Sequence, residues 1–297
     1  MPVLRLCAAQ LAIGAAAIFA RYALQGAGPF TVSALRLGIA ALLFLLAAGR
    51  IRRLSPAREW AFALAGVALA VHFAAWIASL QFTSVAVSTL LVTTTPLWTE
   101  AYDIARERRG PTRVFTFALI CALAGVALIA SGRAASAPPV PGHAPLGAGL
   151  ALLGSFAIGA YLVVVRDAGA TADSARIGTR QIVARTYGWS ALALVITAAS
   201  LHDRIPAAGN ATAWGGVLAM ALVSQSLGHT ALNAALRDFS PSTIAFSTLL
   251  EPVIAALLAA ILFREALTPT TLLGGALVLL AVAATLRAAA TRASVPA

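Results

Sequence analysis

Lysine is absent from this chain of 297 residues, and all 21 of its basic residues are arginine. Acid is scarce as well: Asp and Glu together number 10, and charged residues of both signs make up only 10%. A soluble domain carries about 25%. With 60% hydrophobic residues and a mean hydropathy of +0.90, this shortage of charge excludes an ordinary soluble domain and implies an integral membrane protein. Cysteine is limited to Cys7 and Cys121, both inside apolar segments and without CxxC spacing, so neither a disulfide framework nor a thiolate metal site is implied. Aromatics reach only 7% and no arginine run stands apart from an apolar segment. The net charge of +11 therefore reads as topogenic charge flanking membrane helices rather than a nucleic-acid surface. HExxH, GxSxG, a P-loop and paired-carboxylate motifs are all missing. The chain is accordingly read as no enzyme, with no cofactor and no metal, and any work it does must draw on gradients or exchange.

What the chain does have is apolar runs of membrane-spanning length. A crossing helix needs ~20 such residues, and ten fit: 3–22, 30–48, 60–80, 84–104, 113–131, 146–166, 177–200, 211–235, 240–263 and 269–288. Proline and glycine punctuate the breaks, at Gly26–Pro29, Ser55–Pro56, Gly110–Pro111, Pro206–Gly209 and Thr268–Pro269. The Pro138–Pro145 stretch is the one long linker, and it divides the spans five and five. The first span has some features of a cleaved signal peptide, with Arg5 before an apolar run ending in small residues. Its pairing with a span of the second half favours retention.

Arginine placement sets the orientation. Fifteen arginines fall on one side of the ten spans and Arg21, Arg133, Arg204 and Arg264 on the other, with Arg36 and Arg185 inside spans. The positive-inside rule then puts both termini in the cytoplasm. The two halves also resemble each other. SVAVSTLLVTTTPL aligns with SPSTIAFSTLLEPV so that Ser84 meets Ser240 and Pro96 meets Pro252, while Arg36 and Arg185 match as single arginines in otherwise apolar spans. An odd number of spans per half inserts the copies in opposite senses. Inverted repeats of this kind mark secondary transporters, with the site near the midplane between repeats.

Polar residues inside spans are the functional candidates. Gln225, His229 and Asn233 recur every four residues, so on an α-helix they share one face. Thr243, Ser247 and Glu251 do the same in the next span, running straight into Pro252. A carboxylate at mid-span costs roughly 2.5–3.5 kcal/mol on insertion scales, so Glu251 should face protein or water, either as a cavity group or as a structural partner of an arginine or of backbone freed by Pro252. His72 and Trp76, one turn apart, pair an aromatic with a hydrogen-bonding group as a planar solute would need. Pro96 follows Thr93, Thr94 and Thr95, whose hydroxyls can bond carbonyls that the proline frees, so kinks and gating are expected at Pro96 and Pro252. Arg36 and Arg185 are read chiefly as structural charges that fix their helices.

The stretch LGHTALNAALRDFSPSTIAFSTLLEPVIAALLAAILFREALTPTTLLGGALVLL (227–280), together with GPFTVSALRLGIAALLFLL (28–46), resembles EamA-type members of the drug/metabolite transporter superfamily. In the first span IGAAAIFAR departs from the tryptophan-glycine start common in that family, and His72 and Trp76 match none of its motifs. The resemblance implies an all-α integral membrane protein of ten transmembrane helices in two inverted five-helix repeats, over 1–132 and 146–297 with a Pro-rich linker at 133–145. It also implies a central cavity shared by the halves, with the fifth and tenth spans at the periphery. The expected function is secondary active transport at the cell inner membrane, moving a small metabolite (an amino acid or related compound) outward by alternating access. The expected substrate-binding residues are His72, Trp76, Gln225, His229, Asn233 and Glu251. Expected partners are the solute, the lipid bilayer, the proton as candidate coupling ion and, as an open option, a second copy of the chain; no nucleic acid is expected. A membrane scaffold or receptor-like protein with the same fold is the contrasting class.

Overall fold

The computed structural model describes residues 2–83, 88, 91–133, 143–169, 177–263 and 267–293. Ser84, Arg176, Arg264 and most of the expected linker (134–142) lie outside the described residues. Among the described residues every regular element is helical and no strand occurs. Seven runs are long and apolar enough to cross a membrane: Val3–Ala23, Pro29–Ala48, Pro56–Phe82, Pro145–Gly169, Thr179–Ser200, Pro241–Leu262 and Pro269–Ala288. The protein is a multi-pass membrane protein.

Proline opens helices at several of the breaks, because its fixed φ suits the first turn and its missing N–H would have no partner there. Thus α3 begins at Pro29 (Pro29–Ala48) and α4 at Pro56 (Pro56–Phe82). Before them, the first apolar run is α1 (Pro2–Gly14) and α2 (Ala16–Ala23), separated at Ala15. The first half continues with α5 (Thr95–Glu107), led by Pro96, and α6 (Arg113–Arg133). The second half opens with α7 (Ala144–Gly169) and α8 (Thr179–Ser200). Next comes a single rod from Ala211 to Ala235, made of α9 (Ala211–Ala219), a π-helical stretch (Met220–His229) and α10 (Thr230–Ala235). The last run of the core is α11 (Pro241–Thr248) and α12 (Leu250–Phe263), broken at Leu249, and α13 (Pro269–Ala293) ends the described chain. Ser240 caps α11 by accepting a hydrogen bond from the Thr243 N–H, and the Asp203 carboxylate accepts one from the Thr31 N–H in the first turn of α3 at 2.8 Å.

Packing follows the two-fold resemblance of the halves. The α4–α7 interface has its counterpart in α1 and α2 against the Ala211–Ala235 rod, and α5 against α7 has its counterpart in α12 against α1. Two interfaces map onto themselves: α3 with α8, and α6 with α13. The last pair forms a separate apolar cluster with α11 and α12, around Ala122, Val126, Val278 and Val282, away from the main core of α3, α4, α7 and α8. Its helices touch through glycine: a Cβ on Gly125 would stand 2.6 Å from the Gly274 carbonyl oxygen. The equivalence reaches single residues. Trp98 and Ile254 each follow their matched proline by two positions, and each presses on a glycine of the other repeat, Trp98 on Gly159 and Ile254 on Gly14. Four residues before those glycines stand Ser155 and Gln10, which bond to hydroxyls just ahead of the prolines: Ser155 to Thr94 at 3.0 Å, and Gln10 to Ser247 at 2.8 Å. Each broken helix is thereby latched to the opposite half.

Candidate functional site

Between the halves lies a hollow enclosing about 670 Å³ of non-atom space, counting solvent at its mouth. Its wall draws on both repeats. The first half contributes Ile13, Ala16, Arg36, His72, Phe73, Trp76, Val92, Thr93 and Thr95; the second contributes Ile158, Tyr161, Leu162, His229, Leu232, Asn233, Thr248 and Glu251. Apolar groups dominate and a few polar atoms converge among them, as in small-molecule sites generally.

Arg36 is the charged centre of this wall. It sits in the second turn of α3 with no exposed surface, its Nε donating to Gln225 Oε1 at 2.8 Å. The guanidinium carbon lies 3.9 Å above the centre of the Phe73 ring. Both terminal nitrogens, Nη1 and Nη2, are buried and have no hydrogen-bond partner among the described residues. Gln225, expected on the cavity wall with His229 and Asn233, is not part of it. The physical reason is Arg36, whose Nε takes up the Gln225 side-chain oxygen at 2.8 Å. Gln225 lies in a π-helical stretch, Met220–His229, and its carbonyl accepts from the Thr230 N–H five residues on rather than four. Its side chain holds Arg36 instead.

The remaining wall groups are fixed by their neighbours. His72 Nδ1 lies 2.9 Å from the Gly154 carbonyl, and because a carbonyl only accepts, Nδ1 carries the hydrogen. Its ring is parallel to that of Trp76, tilted by only 7° with centres 6.5 Å apart. His229 meets the edge of Phe73 at 5.2 Å. Asn233 is held twice, accepting from Tyr161 OH at 2.6 Å and donating to the His229 carbonyl at 2.8 Å. Glu251 lines the cavity and forms no ion pair within 4.0 Å among the described residues, although it lies within electrostatic reach of Arg36. Sequence reasoning missed Phe73 and Tyr161. Phe73 gives no signal in an apolar run, whereas Tyr161 stands alone as the one hydroxyl-bearing residue between Ser155 and Arg166.

Pro96 and Pro252 stand beside the cavity, not on its wall. The carbonyl that Pro96 cannot bond, that of Val92, accepts from Thr95 Oγ1 at 2.9 Å, and Thr94 Oγ1 donates to Leu91 O at 2.7 Å. Before Pro252, Ser247 and Thr248 donate likewise to Ile244 and Ala245 carbonyls at 2.6 and 2.8 Å. Hydroxyls thus stabilise both helix breaks.

Arg185 lies away from the hollow. Its Nε faces Glu59 at 3.1 Å, and the same guanidinium reaches the Gln181 and Arg52 carbonyls. A second polar cluster, unforeseen from sequence, closes one end of the core. Arg166 on α7 pairs with Asp103 on α5 at 2.9 Å, and Asp167 takes Arg106 at 2.8 Å and Tyr102 OH at 2.7 Å. Ser242 on α11 donates to Glu100 and Asp103, both at 3.3 Å. Arg109 bonds Glu100 and Glu107, and these two carboxylates hold its guanidinium above the ordinary value. The signal was present in TEAYDIARE, where Glu100, Asp103, Arg106 and Glu107 recur at helical spacing. Among the described residues no three His, Cys, Asp or Glu side chains cluster as metal ligands.

Comparison with known proteins agrees with this architecture. The model of the EamA-like transporter family matches residues 1–131 and again 145–287, one match per half. A solved crystal structure, described only as that of a protein, superposes with a TM-score of 0.77 over 99% of both chains at 17% identity, which is a likeness of fold alone. No curated protein matches.

Proposed function

Because this chain belongs to the EamA-like transporter family, we propose that it is a secondary active transporter that moves a small metabolite, an amino acid or related compound, outward across the cell inner membrane. It works by alternating access, with ten spans arranged as two inverted repeats and both termini cytoplasmic. The observation that carries this reading is the shared cavity, whose wall combines Arg36 and Glu251 without an ion pair between them. In a segment this apolar, two opposite charges left apart are expensive unless something between them uses both. A small zwitterion would do so. The parallel rings of His72 and Trp76 supply a flat apolar surface beside the charges.

The broken helices supply the moving parts. Each is interrupted beside the cavity, ahead of Pro96 or Pro252, and each is latched to the opposite repeat. Rocking about these breaks exposes the cavity to one side and then the other. The proton is the proposed coupling ion, taken up at Glu251. The experiment is exchange from proteoliposomes loaded with a mixed metabolite pool, followed by mass spectrometry with and without a pH gradient. Selective loss of one compound class supports the reading; no selective loss from folded protein favours a non-transporting scaffold.

A further inference from the structure

We infer that Arg36 is the carboxylate-binding group of the cavity, receiving a planar monoanionic carboxylate end-on through Nη1 and Nη2. The inference deepens the transport reading and rests on it for what the bound solute then undergoes. It stands on the geometry of one side chain. The guanidinium is committed at its Nε edge and on one face: Nε is taken by Gln225 Oε1 at 2.8 Å, and the Phe73 ring covers the face at 3.9 Å. The fork of Nη1 and Nη2 is left, buried and without a hydrogen-bond partner among the described residues, on a side chain that lines the hollow. A guanidinium fork matches the two oxygens of a carboxylate in one plane. Gln225 and Phe73 fix that plane, so the fork is held ready rather than ordered by the ligand.

The charge inventory narrows the ligand further. Arg36 is the one arginine among the described wall residues, and the wall also carries Glu251, which stays beyond 4.0 Å of it. A dianion such as a phosphate monoester would leave a net negative site. A monocarboxylate balances Arg36 and leaves Glu251 for a cationic group on the same solute. The position is not a resting place for Arg36 alone, since its sequence counterpart Arg185 is saturated by Glu59, Gln181 and the Arg52 carbonyl, away from the hollow. The two matched arginines have separate tasks.

The test compares two pools, the twenty protein amino acids and the same compounds as carboxamides, which keep the side chain and ammonium but lose the carboxylate. Purified wild-type protein, Arg36→Gln and Arg36→Lys are followed by thermal melting in detergent and by counterflow in proteoliposomes. Wild-type protein is expected to gain melting temperature with the acid pool and at least about tenfold less response from the amide pool. Arg36→Gln should lose that preference, and Arg36→Lys should keep part of it, as a point charge without the fork. Equal responses to acids and amides in wild-type protein overturn the inference, as does an Arg36→Gln or Arg36→Lys variant that keeps the full preference. So does a wild-type protein that ignores both pools. Selective exchange of the metabolite pool without carboxylate preference would leave the transport reading standing and remove this one. Acid-specific melting without any exchange would do the reverse.

Discussion

At the level of single residues, the cavity separates groups that hold from groups that are held ready. Asn233 has both ends of its amide committed, whereas Glu251 has no hydrogen-bonded or ion-paired partner among the described residues. Glu251→Gln keeps the shape and removes the charge. Exchange is expected to fall at least about tenfold while the melting temperature holds or rises, since an isolated buried charge is unfavourable to the fold. Unchanged exchange would show that the carboxylate is only a structural remnant. Glycine offers a prediction of a different kind. A Cβ on Gly216 would stand 2.5 Å from the backbone nitrogen of Ala23 and 2.7 Å from the Phe19 carbonyl, and backbone cannot swing aside. Gly216→Val is expected to destabilise by about 1–3 kcal/mol, the range for overpacking. Gly38→Ala, with nothing within 4 Å, should melt as the wild type does. Of these residues, the sequence made Glu251 legible, because a carboxylate in an apolar run needs a reason. Gly216 was illegible, since its partner lies nearly two hundred positions away.

Among the elements, helix boundaries were legible where chemistry fixes them locally. Pro29, Pro56, Pro241 and Pro269 each open a helix, and the expected breaks ahead of Pro96 and Pro252 are present. The π-helical stretch was not legible. Hydrophobic periodicity reports which face is apolar and is silent about one wider turn inside an otherwise continuous rod. Gln225, placed on the cavity face by its spacing, bonds Arg36 instead. The partnership of Arg36 and Gln225 spans 189 positions, and no local pattern encodes it. The hydroxyls at the breaks invite a direct check. Thr95→Val removes the donor to the Val92 carbonyl and the contact with Ser155 while keeping the volume. A loss of about 0.6–1.7 kcal/mol is expected from hydrogen bonds of this kind in membranes, with slower exchange at unchanged solute affinity. A change in affinity alone would assign Thr95 to binding rather than to the hinge.

For the molecule as a whole, the duplicated organisation was legible from the Ser84–Ser240 and Pro96–Pro252 alignment, and the family matches fall one to each half. Which helices touch was not, because pairing across the halves depends on glycines and hydroxyls scattered through the chain. The charged cluster around Asp103 and Arg166 ties α5, α7 and α11 together at one end. Exchanging the pair, Asp103→Arg with Arg166→Asp, should restore part of the stability that either single change removes. A double-mutant cycle in detergent measures the coupling, and a value of zero would reduce the cluster to surface charge.

The alignment that relates the halves sets Ala256 and Leu262 in the places of Glu100 and Arg106. Two of the charges on α5 therefore have apolar counterparts on α12, while Arg166 has Arg21 as its counterpart. In the proposed rocking cycle, parting the cluster around Asp103 and Arg166 would separate ion pairs and wet them, so ionic strength should change the rate of that step. A duplicated architecture need not be duplicated in charge, and dissolved salt acts where the charge is.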